Sequence, residues 1–177
     1  PNPAMAGRTR NRQTQSERAA RLFTAAGNGD LEVVKKLVED DPNLVRAQDD
    51  EGVFLGWTPL HWCAHNGHHH VAQYLLDEAE KQNQSSQDIP LNEVVDADGD
   101  SPLHVAVSWG HEKLVNILVD RGFSLQQKNK TKRTPLDVAD PAFRAILDKG
   151  QNQQEEDGAG GRARRAGISR STVRSDR

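Results

Sequence analysis

The chain has 177 residues, 34% of them hydrophobic and 28% charged, with a formal net charge of −3 and a mean hydropathy of −0.80. That length accommodates one domain, and no run approaches the roughly 18 apolar residues of a membrane span. Residues 1–20 carry four arginines and one glutamate and residues 151–177 six arginines and four acids, whereas the stretch between them holds 13 basic and 21 acidic side chains; an acidic body argues against a phosphate-binding surface there.

Residues 1–17 are rich in Arg and Gln, with almost nothing to bury, and are expected to form a disordered arm. The first apolar pattern follows: Leu22, Ala25 and Ala26 before Gly29, then Val33, Val34, Leu37 and Val38, two helices with one buried stripe each. An apolar insertion, Val53-Phe54-Leu55, precedes Gly56-Trp57 in what must be a surface turn, where apolar content needs an explanation. Thr58-Pro59-Leu60-His61 then opens a helix that ends at Gly67. A second helix carries Val71, Ala72, Leu75 and Leu76, and the polar stretch from Glu78 to Gln87 is expected to lengthen it by a turn before a loop.

The phrase returns as Ser101-Pro102-Leu103-His104, followed by Gly110 and a helix bearing Leu114, Val115, Leu118 and Val119. It returns again as Thr134-Pro135-Leu136-Asp137, without the glycine, and Asp140-Pro141 leads toward a short helix near residues 142–149. Residues 151–177, Arg- and Gly-rich, are expected to be disordered. The phrases start 43 and then 33 residues apart, so a 33-residue unit appears once unaltered and once lengthened by ten. Each opening has a mechanical sense: the hydroxyl caps the helix, and proline sits where a missing N–H costs nothing.

These residues resemble the ankyrin repeat, whose phrase T-P-L-H-x-A opens the first of two antiparallel helices. The resemblance implies an all-α solenoid of stacked helix-turn-helix units joined by β-turns, with units at about 18–52, 53–95, 96–128 and 129–150, the first and last acting as caps. It also implies that His61 and His104 hydrogen-bond the backbone of neighbouring turns. Ankyrin partners are held by the turn before Thr-Pro and by the two residues before the helix-ending glycine. Carried over by position, the partner-binding candidates are Phe54, Leu55 and Trp57, then Asp98 and Asp100, then Lys130 and Arg133 in the turns, with His65, Asn66, Ser108 and Trp109 before the glycines. Trp62 takes the place of a core leucine. Trp57 and Trp109 have two readings: anchors for a partner, since tryptophan buries a large area at low entropic cost, or packing that closes the Val53–Leu55 insertion onto its own helix.

Other chemistries find less support. His61, His65 and His68–His70 lie close in sequence, but no cysteine or carboxylate completes a tetrahedral set, so no metal is expected. Asp96, Asp98 and Asp100 resemble a calcium loop superficially, yet Val107 stands where its twelfth-place glutamate belongs. No phosphate loop, G-x-S-x-G or H-E-x-x-H is present, and neither enzymatic activity nor a cofactor is expected. The single Cys63 suits a reducing compartment, and a monomer in the cytoplasm or nucleus is the expectation. The function so implied is binding of another protein. Alternatives are escort of a basic client, such as a ribosomal protein or histone, by the acidic body, and RNA contact through the arginines of residues 158–177.

Overall fold

A computed structural model describes residues 3–50, 52–82, 90–141, 143 and 144, with side chains described from Gln15 onward. Seven α-helices appear among them: α1 (Pro3–Asn28), α2 (Leu31–Asp40), α3 (Pro59–Asn66), α4 (His69–Gln82), α5 (Pro102–Ser108), α6 (Glu112–Asp120) and α7 (Pro135–Val138). Short 3-10 turns at Pro42–Arg46 and Leu91–Glu93 carry the chain out of α2 and toward the second hairpin. There is no β-strand among the described residues.

The helices form two layers. One runs α1–α3–α5–α7 and the other α2–α4–α6, and each helix of the first also packs on its sequence neighbour in the second, α7 excepted. Leu22, Leu60 and Leu103 repeat down the first layer and Val34, Ala72 and Val115 down the second, all fully buried between the layers. Each leucine so placed contributes about 2 kcal/mol relative to exposure.

The expected capping is present at all three phrases. Thr58, Ser101 and Thr134 accept the third backbone N–H of α3, α5 and α7, and the side chain at that third position returns a bond to the capping residue's own N–H. His61 and His104 do more. Nδ1 of His61 accepts the Thr58 N–H at 3.2 Å, which leaves Nε2 protonated to donate to the Asp100 carbonyl at 3.1 Å in the next hairpin. His104 repeats this with Ser101 (3.2 Å) and the Arg133 carbonyl (3.2 Å). Asp137 takes the histidine's place in the last phrase: its carboxylate accepts the Thr134 N–H and hydroxyl, both at 2.9 Å.

A second ladder ties successive units together. Gly67 ends α3 in the left-handed region (φ +79°), and the His111 ring lies directly over it, so that a Cβ there would sit 2.6 Å from Nδ1. That ring donates from Nε2 to the His65 carbonyl at 2.9 Å. His68 lies over Gly29 in the same way and donates to the Gly27 carbonyl at 3.0 Å. The hairpins are also joined sideways, by Ala97 N–H to the Leu55 carbonyl (3.0 Å) and Lys130 N–H to the Asp98 carbonyl (2.9 Å).

One difference from expectation concerns the start of the first helix. α1 begins at Pro3, so the backbone over 3–17 is helical where a disordered arm is expected. Once residues 19–26 are packed as helix, each added residue gains a bond without a new nucleation cost, and Ala, Arg and Gln propagate well. The second-unit lengthening goes as expected into α4, which runs 14 residues against 10 for α2 and 9 for α6. Residues 83–89, most of the expected helix at 142–149, and the tail 151–177 lie outside the described residues.

Candidate protein-binding surface

The first hairpin is closed by Asp49 N–H to the Trp57 carbonyl (2.8 Å) and Gly56 N–H to the Asp49 carbonyl (2.7 Å), and the Val53–Leu55 insertion loops out of it. Phe54 folds back. Its ring lies 4.5 Å from Trp57 and 4.7 Å from Trp62, centroid to centroid, and those two indoles meet edge to face at 5.1 Å. Trp57 is further held by its Nε1, which donates to the Asp96 carboxylate at 3.1 Å. His65, 5.5 Å from Trp57, links this cluster to Trp109, whose ring packs on it at 4.3 Å.

The two tryptophans singled out from sequence therefore differ. Trp57 and Phe54 are half-buried and engaged within the protein, while Trp109 is 58% exposed. Val53 and Leu55 beside the cluster are 93% and 48% exposed. Of the other candidates, Asn66, Asp98, Ser108, Lys130 and Arg133 are exposed, and Asp100 is half-buried. Asp100 has structural duties: its carboxylate accepts Asn129 Nδ2 at 2.7 Å and its carbonyl accepts His61. The Lys130 ammonium donates to the Ala97 carbonyl, and Asn66 Nδ2 to the Trp62 carbonyl at 3.3 Å. Phe54, Trp57, His65 and Trp109 are thus brought together, whereas Lys130 and Arg133 belong to the third hairpin.

Sequence reasoning missed a groove next to this cluster. It lies between α1 and the first hairpin, has a volume of about 1150 Å³, and reaches α3 at Trp62 and Asn66. Trp62, expected to replace a core leucine, is only half-buried and forms part of its wall. The available signal was spacing: Trp62 lies four residues before Asn66, hence on the same helix face. No group of three or more His, Cys, Asp or Glu suited to a metal occurs among the described residues. Cys63 is buried, and desolvation pushes its thiol well above the ordinary range, the opposite of a reactive cysteine. Burial also drives the His61 imidazole down to about 4, against the Asp100 hydrogen bond that favours its charged form.

Stacked helix pairs, capped phrases and a histidine over Gly29 and over Gly67 agree with the family comparison: a model describing "Ankyrin repeats (3 copies)" matches residues 22–129 and 82–157. The chain belongs to the ankyrin repeat family. Similar proteins include protein phosphatase 1 regulatory subunit 12A of Mus musculus, 34% identical over 56% of this chain and 9% of that protein. A transient receptor potential cation channel subfamily A member 1 homolog of Caenorhabditis elegans is 30% identical over 67% of this chain and 9% of that one. Ankyrin repeat domain-containing protein 40 of Mus musculus is 31% identical over 73% of this chain and 33% of that protein. The chain thus spans between about a tenth and a third of the length of these relatives. What is shared is the ankyrin repeat, a non-catalytic module that generally mediates protein–protein interaction.

Proposed function

We propose that this chain holds a partner protein against the hairpin tips and the exposed ends of the first-layer helices, with Trp109 as the anchor. The observation that carries this reading is the Trp109 indole, more than half exposed and fixed on His65 at the edge of an aromatic cluster. A large exposed aromatic ring offers a partner much apolar area without a conformational search, which is the character of an interface hot spot. The apolar tip Val53 and Leu55 lies on the same hairpin as Phe54 and Trp57 and extends the surface. The test is affinity capture from the native cell with the full chain and with Trp109→Ala. A bound protein that is lost with the variant, at unchanged melting temperature, supports the reading. Identical capture by both chains refutes it.

A further inference from the structure

We infer that the groove between α1 and the first hairpin receives a lysine- or arginine-bearing segment of the partner protein. This rests on the protein-binding reading above and adds the chemistry of what is bound. The groove has an apolar floor from Ala19, Phe23, Leu44 and Trp62, and three carboxylates, Asp41, Asp49 and Asp50, line it with no lysine or arginine among the described lining residues. Asp41 is held in place by accepting the N–H and Nδ2 of Asn43, both at 3.2 Å. An apolar floor beneath an acidic rim suits the side chains that have both characters, because lysine and arginine cover apolar surface with their stems while the charged heads reach outward. The same rim repels phosphate, which disfavours a nucleic acid as occupant.

The floor is also kept open. Gly27 lies in the last turn of α1 and is not among the glycines with positive φ, so its backbone makes no demand for glycine, and alanine there would favour the helix. A Cβ at this position would meet Trp62 Cε3 at 3.4 Å and Asn66 Nδ2 at 3.5 Å, filling space that the groove now contains. Beside it, Trp62 Nε1 is buried without a hydrogen-bond partner, a donor that a carbonyl of a bound chain would satisfy with a small turn of the ring. The wall continues through Trp62 into the Phe54–Trp57 cluster and on to Trp109, so one bound protein would reach both places.

The test uses the full chain and a fluorescein-labelled peptide of alternating lysine and alanine, with glutamine and glutamate counterparts, read by anisotropy at low and moderate salt. Expected is binding of the lysine peptide alone, weakening as salt screens the carboxylates. The double variant Asp49→Asn/Asp50→Asn should weaken it about tenfold, and Gly27→Arg should abolish it. Glu112→Gln/Asp120→Asn removes the same charge from α6, in the other layer, and should leave binding unchanged. Melting temperatures establish that each variant folds; should Gly27→Arg not fold, the aspartate pair decides. Equal loss with the α6 pair, equal binding of the glutamine peptide, or tighter binding of a labelled oligouridylate overturns the inference. So does lysine-peptide binding that emerges only when residues 158–177 are removed, which would make this chain's own end the occupant. Partner capture that depends on Trp109 while the groove variants change nothing sinks the cationic segment and leaves the protein-binding reading standing.

Discussion

Acid should unfold this stack through His61. The ring is fully buried, with both nitrogens committed: Nδ1 accepts from Thr58 and Nε2 donates to the Asp100 carbonyl. A second proton would convert the Nδ1 acceptor into a donor facing the Thr58 N–H. Its pKa is about 4 in the folded chain, against 6.5 for an ordinary histidine. Because the folded value is the lower one, the unfolded chain binds more protons between the two, and stability rises with pH in that window. The contribution is complete above about pH 6.5, falls as pH drops toward 4 and changes no further below it; over the whole window it amounts to roughly 3 kcal/mol, of which about 2 kcal/mol is lost by pH 5. The assay is urea unfolding followed by circular dichroism at pH 7 and pH 5, for the full chain and for His61→Asn. Asparagine keeps an acceptor near the Thr58 N–H, as Asp137 does at Thr134, and does not titrate. The variant should be less stable at pH 7, yet should lose about 2 kcal/mol less than the parent on going to pH 5. Every other ionisable side chain is common to the two chains, so the difference between their losses reports on this ring. Equal losses in the two chains would refute the assignment of acid sensitivity to this ring.

Trp109→Ala should leave the melting temperature nearly unchanged, because the ring is mostly exposed, whereas Trp57→Ala should cost about 2 kcal/mol by opening the Phe54–Trp62 cluster and orphaning a hydrogen bond to Asp96; thermal melts of both variants compare them. Gly67→Ala should cost more than about 2 kcal/mol, since it strains a left-handed residue and drives Cβ into His111, while Gly110→Ala, with nothing within 4 Å, should show only the backbone cost of about 1 kcal/mol in denaturant titrations. Cys63 should react with a thiol reagent only as fast as the stack opens, so its labelling rate should follow global unfolding across urea concentrations; rapid labelling in native buffer would contradict its burial.

The stacking order was legible because it is written in short-range chemistry. Thr58, Ser101 and Thr134 cap the helices they begin, Gly29 and Gly67 take the left-handed conformation that ends a helix, and apolar residues at helical spacing mark the buried stripes. Each of these depends on neighbours within a few residues, so the primary sequence specified helix starts, helix ends and the register of the repeats. The third-position histidines were legible in the same way, through the family phrase that carries them.

The binding surface was decided at longer range. Trp57 and Trp109 occupy equally promising positions by spacing, yet one is tied to Asp96, 39 residues away, and the other is left facing outward. Trp62 passes for a core residue along the chain, but its half-exposed ring and unpartnered Nε1 follow from where α1 crosses it, at Gly27. The groove itself joins α1 to a hairpin more than twenty residues downstream, and no local pattern reports the gap left between two elements. Helix ends answer to bonds with near neighbours, whereas exposure and concavity depend on which distant segments arrive to cover a side chain, and only the packed stack determines that.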